Sequence, residues 1–275
     1  LFRDRKKNRI LYFQELMKYL EKKFEFLLSV RLFIVVLIST VFCFHFIDIP
    51  LYEYSRSANR MIFYFFQKII DPFSDIVDPG NVIVICIILW LLINQTRKIT
   101  NEPKKVRILS ERLGFKKEFI LESMRYYLLI IKHIISSILI TGIILHVLKY
   151  ILGVARPKYF FFKGYERQDF FNFEHKVNSL PSGHTQAAFT VAILIILYTN
   201  RYTFIILVIA CLLGIARIFM SAHFPSDIIL GAYVGSFFPI FIYKVYFLDR
   251  FKKLNKEKLF DFKTFLKMLY LKILV

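Results

Sequence analysis

Cysteine is scarce in this chain of 275 residues, and its pattern excludes two common kinds of site. The three cysteines, Cys43, Cys86 and Cys211, each lie within an apolar run, and no C-x-x-C spacing is present. The sequence therefore predicts neither a zinc site nor a disulfide framework. Acidic residues are also few, 20 against 39 basic ones, and no carboxylate cluster of the two-metal type lies near the polar motifs. We expect no metal and no other cofactor.

Long apolar runs, by contrast, are abundant. The chain is 57% hydrophobic and 18% aromatic, and its mean hydropathy is +0.52. A soluble domain of this size rarely carries so many apolar residues, so the composition predicts an integral membrane protein. The net charge of +19 comes from basic residues between the apolar runs and at both ends. Such flanks are typical of transmembrane helices, and no recognition module accompanies them, so we expect no nucleic-acid partner.

Six apolar segments approach the length of about 20 residues that a membrane-spanning helix needs. We predict an all-α polytopic fold, a six-transmembrane-helix bundle over residues 30–247. A cytoplasmic basic arm (1–29) precedes it, and a basic amphipathic tail (248–275) follows it. The predicted spans are roughly Val30–Ile47, Asn81–Asn94, Tyr126–Leu148, Thr185–Tyr198, Thr203–Phe219 and Ile228–Phe247.

The distribution of Lys and Arg predicts the orientation of these spans. Nine basic residues lie in the linker between the second and third spans, and the arm and the tail are also basic. If these segments face the cytoplasm, both termini lie inside, and residues 48–80, 149–184 and 220–227 lie outside. The segment Met61–Ile70 then predicts a helix in the outer interface. The stretch Glu257–Val275 fits either a helix on anionic cytoplasmic lipid or one packed on a partner or on the protein's own core.

Three short polar motifs lie at the ends of apolar runs, on the predicted outer side. They read K-Y-I-L-G-V-A-R-P from Lys149, P-S-G-H from Pro181 and R-I-F-M-S-A-H-F-P-S-D from Arg217. Taken singly, each has a structural explanation: a lysine that anchors a helix end, a serine that caps a helix, or a buried polar network. Together they contain what phosphate chemistry needs, namely cationic donors, a nucleophile and an acid for the leaving group.

The residue types in these motifs suit that chemistry. Arg156 offers a planar fork that can hold two phosphate oxygens. Backbone N–H groups at a helix that begins near Gly183 would point at an anion. Asp227, four residues after His223, can hold the imidazole in one tautomer and leave its other nitrogen free for attack.

This set of motifs resembles the signature of the type 2 phosphatidic acid phosphatase superfamily: K-x6-R-P, P-S-G-H and S-R-x5-H-x3-D. The chain matches the first two completely and departs once in the third, where Ala216 replaces the usual serine. That serine generally supports the phosphate site, so its absence concerns fine tuning more than the reaction itself.

The resemblance implies a role for each matching residue. His223 would attack phosphorus and form a phosphohistidine, Asp227 would orient it, and His184 would protonate the leaving group and then activate water. The equatorial phosphate oxygens would be held by Lys149, Arg156, Ser182, Gly183 and Arg217. The family needs no divalent metal.

The resemblance implies a membrane-embedded lipid phosphatase in a bacterial inner membrane, with its site facing the periplasm. Lipid A and undecaprenyl pyrophosphate are the favoured substrates, and phosphatidylglycerol phosphate and phosphatidate are alternatives. The loop Tyr159–Ser179, with six phenylalanines among basic residues, is similar to loops of bacterial lipid A phosphatases. The alternatives are a lipid-to-lipid phosphotransferase that uses the same site, or a non-enzymatic scaffold or transporter that retains the fold. The oligomeric state is open.

Overall fold

The computed structural model describes residues 24–74, 77, 79–99, 101–199, 201–255 and 258–271. The first 23 residues of the predicted arm, the last four of the tail and Glu257, where the predicted tail helix begins, lie outside these ranges. Within the described residues the fold is all-α, and the only β pairing is an isolated bridge between Val154 and Gln168.

Ten helices are numbered here in chain order. Two of them, α1 and α9, contain π-helical turns. They are α1 (Val30–Ser57), α2 (Arg60–Tyr64, continued by a π-helical turn Phe65–Ile70), α3 (Pro79–Ile99), α4 (Pro103–Leu113), α5 (Lys117–Leu152), α6 (Pro157–Lys163), α7 (Gly183–Thr199), α8 (Thr203–Phe219), α9 (Pro225–Lys252) and α10 (Phe262–Leu271).

Three described helices, α1, α5 and α9, are long and apolar enough to cross a membrane by length and composition. They make the chain an integral membrane protein. Shorter apolar helices lie at Gly80–Gln95, Gly183–Thr199 and Thr203–Phe219, so all six predicted segments are helical. The number of spans remains a prediction.

The helix ends differ from the predicted spans in an instructive way. The first predicted span ends at Ile47, directly before Asp48, yet α1 continues to Ser57. Asp48 is fully buried and hydrogen-bonded there, so its charge does not end the helix. The predicted interfacial segment Met61–Ile70 is helical, which agrees with the sequence, while its place at the interface stays a prediction.

The described residues fall into two compact units. The first combines residues 24–82 with 136–241 and contains all three motifs. Its core includes Ala188 and Ala192 of α7 and Ala210 and Leu213 of α8. Helix α9 packs tightly on α7, because a Cβ at Gly231 would lie 2.7 Å from the carbonyl oxygen of Ser182 and one at Gly235 would lie 2.3 Å from that of Gln186. Neither position has room for a side chain.

The second unit combines residues 83–135 with the chain from 242 onwards. Here α10 packs one face inward: Phe265, Met268 and Leu269 are buried, and Phe265 stacks on Tyr127 with ring centroids 3.7 Å apart. Phe262, Leu266 and Tyr270 form an exposed apolar stripe on the same helix. The tail helix therefore packs on the protein's own core, and its exposed stripe keeps a position on the membrane surface as a prediction.

Candidate active site

The first motif places two cations beside one loop. Lys149, at the end of α5, is buried, and its Nζ donates hydrogen bonds to the carbonyl oxygens of Asn178 (2.5 Å) and Ser179 (3.2 Å). Arg156 precedes α6, and its Nε is buried without a hydrogen-bond partner among the described residues. Such an unpaired donor is available to an anion.

The loop between α6 and α7 folds back onto the first motif. Ala155 N–H donates to the carbonyl oxygen of Arg167 (3.1 Å), Arg156 N–H to that of Lys176 (3.1 Å), and Ser179 N–H to that of Val154 (2.8 Å). Gly153 permits this approach, since its φ is +53° and a Cβ there would lie 1.6 Å from the carbonyl oxygen of Asp169. The motif and the loop thus form one rigid wall of the site.

The second motif begins α7. Ser182 Oγ accepts hydrogen bonds from the N–H (3.4 Å) and the hydroxyl (2.9 Å) of Thr185, which confirms the predicted helix cap. Ser182 N–H donates to the carbonyl oxygen of Asp227 at 2.9 Å, so the second and third motifs are in direct backbone contact. His184, in the first turn of α7, is exposed and therefore accessible to a ligand.

The third motif brings His223 and Asp227 together. Nδ1 of His223 lies 3.2 Å from Oδ2 of Asp227, and this oxygen also accepts the Phe224 N–H at 2.8 Å. Both side chains are almost completely buried. The contact fits an imidazole whose Nδ1 carries the proton and whose Nε2 is unprotonated, which is the tautomer a nucleophile needs.

Ser179 is a member of this cluster that the sequence did not identify. Its hydroxyl donates to Oδ2 of Asp227 at 2.5 Å and lies 3.3 Å from Nδ1 of His223. The buried hydroxyl therefore contacts both partners of the pair. Its position two residues before Pro181 was the only available signal.

Arg217, predicted to hold phosphate, forms an ion pair with Asp71 in the structure. Nη1 of Arg217 contacts Oδ1 of Asp71, which lies just after the π-helical turn that follows α2. The Nε of Arg217 is buried without a hydrogen-bond partner in the part of the chain that the structure describes. One donor of this side chain is thus held by a carboxylate, and another is available.

A second ion pair lies beside the His223–Asp227 pair. Asp48 accepts hydrogen bonds from the N–H (2.8 Å) and the hydroxyl (2.5 Å) of Ser226, and it pairs with Nη2 of Arg167. The guanidinium carbon of Arg167 lies 3.6 Å from the ring centroid of Phe224. Sequence reasoning missed Asp48, and it identified Arg167 only as one of the basic residues of the loop before α7, suited to an anionic headgroup.

The electrostatics favour an uncharged His223. Burial lowers the pKa of His223 to about 3, and the nearby cations of Lys149 and Arg156 act in the same direction, while Asp227 opposes them. At neutral pH its imidazole is therefore neutral and carries a lone pair. The exposed His175 also has a pKa below its ordinary value, chiefly because Arg156 is near. The positive charges of Arg156 and Lys149 thus also act on the exposed side of the site, where His175 lies.

The predicted site residues are accordingly found close together, although the roles assigned to them remain proposals. Direct contacts connect the third motif with Ser182 and with Ser179, and Ser179 with Lys149. Arg156 and Arg217 lie within electrostatic range of one another. The described residues contain no group of three His, Cys, Asp or Glu side chains that could hold a metal ion.

The chain is similar to known proteins. The model of the PAP2 superfamily matches residues 130–251. Lipid A 1-phosphatase of Rhizobium etli is 32% identical over 116 residues, which are 42% of this chain and 49% of that protein. Lipid A 1-phosphatase of Rhizobium johnstonii is 32% identical over 110 residues, which are 39% of this chain and 44% of that protein.

A third relative is the bacitracin transport permease protein BcrC of Bacillus licheniformis. It is 37% identical over 71 residues, which are 26% of this chain and 35% of that protein. The chain thus spans about half or less of the length of the curated relatives that it matches, and no solved structure matches it. The three motifs all lie inside residues 130–251, the segment that is similar to the PAP2 superfamily.

Proposed function

We propose that this protein is a membrane-embedded lipid phosphatase that acts without a metal ion, through a phosphohistidine on His223. The observation that supports this most directly is the contact of Nδ1 of His223 with Asp227 and Ser179, in a site bordered by Lys149 and Arg156. A neutral, oriented imidazole next to fixed cations suits attack on a phosphate group.

The proposed reaction has two steps. Nε2 of His223 attacks phosphorus, the bond from phosphorus to the lipid oxygen breaks, and His184 gives its proton to that oxygen. His184 then takes a proton from water, the water oxygen attacks phosphorus, and the bond from phosphorus to nitrogen breaks. Inorganic phosphate leaves, and both histidines return to their starting states.

Cationic donors would stabilise the charge that develops on the transferred phosphoryl group. Lys149, Arg156 and Arg217 supply the charged donors, and Ser182 with the N–H of Gly183 supplies neutral ones at the start of α7. Phosphoryl transfer is catalysed mainly by such positioning and electrostatic stabilisation. The unpaired Nε atoms of Arg156 and Arg217 support this assignment.

The substrate is proposed to be a phosphorylated membrane lipid. Two of the relatives are named for the 1-phosphate of lipid A, which favours a lipid A phosphate ester, and undecaprenyl pyrophosphate is the next candidate. Exposed phenylalanines of the loop before α7, among them Phe162, Phe170 and Phe173, are suited to contact acyl chains. We further propose six spans, both termini in the cytoplasm and a site that faces the periplasm.

The experiment that tests the function measures release of inorganic phosphate by detergent-purified protein in the presence of EDTA. The panel contains lipid A, undecaprenyl pyrophosphate, phosphatidylglycerol phosphate and phosphatidate. We expect release from one lipid and its loss in the H223Q variant, whose thermal stability should match the wild type. Substantial release by H223Q would contradict the phosphohistidine mechanism, and silence on the whole panel would contradict hydrolysis of these lipids.

A further inference from the structure

Asp48 is a buried carboxylate that lies outside the segment matched by the PAP2 superfamily. Its side chain is completely inaccessible to solvent. Both of its oxygens are used: Oδ1 accepts the Ser226 N–H, and Oδ2 accepts the Ser226 hydroxyl and contacts Arg167. A charge buried this deeply is stable only when its partners are held in place. Asp48 therefore fixes Ser226 with two hydrogen bonds.

Ser226 lies in the nucleophile turn, the segment 223–227 that carries His223 and Asp227. It lies between Phe224, which follows His223, and Asp227, and it belongs to the first turn of α9. The N–H of Phe224 donates to Oδ2 of Asp227, so this turn is closed by the same carboxylate that contacts the imidazole. A shift of Ser226 would consequently move His223 and Asp227 together.

Arg167 connects this turn to the wall that carries Arg156. Its guanidinium stacks on the ring of Phe224, with 3.6 Å between the guanidinium carbon and the ring centroid. Its backbone carbonyl accepts the N–H of Ala155, the residue directly before Arg156. One residue thus contacts the nucleophile turn with its side chain and the phosphate-binding motif with its backbone.

We infer that Asp48 and Arg167 are positioning residues that set the distance between His223 and a phosphate group held by Arg156. The inference rests on the proposed function. Within the described residues, neither side chain forms a hydrogen bond or ion pair with His223 or with the proposed phosphate-binding residues, so both act through Ser226, Phe224 and the backbone of residue 155. A displacement of about 1 Å in such a site can lower the rate by about 100-fold, so a link of this kind affects turnover.

The test uses the detergent-purified full chain and the lipid that the phosphate-release panel identifies. The variants are D48N, R167M and the double variant D48N/R167M. D169N is the matched control, because Asp169 lies in the same loop as Arg167 but is exposed. For each protein, kcat, KM and the thermal midpoint Tm are measured.

We expect each single variant to lose about tenfold in kcat, with KM changed less than about twofold, because the phosphate donors are intact and only the approach geometry is altered. Each single variant should also lose Tm, since one charge stays buried without its partner. The double variant contains no unpaired charge, so its Tm should return close to the wild-type value while its kcat stays low.

Recovery of kcat together with Tm in the double variant would overturn the inference, because the pair would then serve only folding. Wild-type kcat in either single variant would overturn it too. A wild type and a D169N protein that both release no phosphate from any lipid would instead contradict the proposed function, and this inference would fall with it.

Discussion

Two arginines beside the site are buried to nearly the same extent, and they differ in the acids that hold them. The side chains of Arg167 and Arg217 are 16% and 14% exposed. Asp48, the partner of Arg167, is 0% exposed, whereas Asp71, the partner of Arg217, is 29% exposed. Asp48 also accepts two hydrogen bonds from Ser226, while Asp71 contacts Arg217 through Oδ1.

This difference suggests distinct uses for two similar ion pairs. Breaking the buried pair leaves a charge without water, so the pair behaves as part of the fold. The Asp71–Arg217 pair, whose acid is partly exposed, can exchange its carboxylate for water or for another anion at a smaller cost than the Asp48–Arg167 pair. A phosphate oxygen is such an anion, and the unpaired Nε of Arg217 can bind a second one.

Of the two arginine variants, R217M should lose more activity than R167M. We expect kcat/KM to fall by about 100-fold or more, because removal of one preorganised donor to a developing oxyanion costs that much in other enzymes. The R167M variant should lose only about tenfold, through kcat. Both are measured as phosphate release, with R201M, at an exposed arginine between α7 and α8, as the control. If R217M and R167M lost the same factor in the same kinetic parameter, the proposal that the two arginines have different roles would be contradicted.

Thermal stability should depend more on Asp48 than on Asp71, although activity is expected to depend more on Arg217, the partner of Asp71, than on Arg167. The D48N variant leaves Arg167 buried without its counterion, so Tm should fall by about 5–10 °C. The D71N variant removes a partly exposed pair, and its Tm should change by less than about 2 °C. Thermal unfolding in detergent measures both. A large loss of Tm in D71N would show that Asp71 belongs to the fold in the same way as Asp48.

A smaller effect is expected on the affinity for a phosphate analogue. In the D71N variant the charge of Arg217 is no longer neutralised, so orthovanadate should inhibit about threefold more strongly, since we expect this partly exposed ion pair to contribute about 1 kcal/mol or less. The inhibition constant is compared with those of the wild type and of D169N. Weaker inhibition would mean that Asp71 orients Arg217 for the ligand, and exchange of the carboxylate would be rejected.

The two sides of the site should also differ in how their histidines respond to pH. Since burial lowers the pKa of His223 to about 3, its ring should stay neutral from pH 5 to pH 8. The exposed His175, whose pKa is lowered mainly by Arg156, should become protonated only below the ordinary value of 6.5. Imidazole ¹⁵N chemical shifts measure both, and the H223Q and H175Q variants assign the signals. A His223 signal that titrates near pH 6.5 would contradict its burial as a neutral group.

The sequence could identify the candidate residues that lie within the motifs, because their spacing is a local property. It could not predict their partners. Asp48 and Arg167 are 119 residues apart, and Asp71 and Arg217 are 146 residues apart. Neither Asp48 nor Asp71 lies in one of the three motifs, and only the folded chain places each of them against an arginine. Ser179 lies close to Pro181, yet its hydroxyl acquires meaning only through a contact with Asp227, 48 residues away.

The fold could likewise be predicted only in part from the sequence. Apolar runs identified where helices lie, since burial in lipid or in the core requires them. They did not identify where the helices end. A charged residue interrupts an apolar run in the sequence, but the helix can continue through that residue when the folded protein provides a partner for the charge. The continuation of α1 through Asp48 and the start of α5 at Lys117 illustrate this limit.

The bare faces of Gly231 and Gly235 have a consequence for how the site can move. The helix that carries Asp227 and the helix that begins at Gly183 meet there backbone against backbone. Besides main-chain atoms, only the Cβ atoms of Thr185 and Phe189 are among the nearest neighbours at these points, and side-chain rotation does not move a Cβ. The contact therefore holds the backbone of the helix that begins at Gly183 against the helix that carries Asp227. We expect substrate entry to be accommodated by other segments, while the backbones that carry the two proposed catalytic histidines keep their spacing.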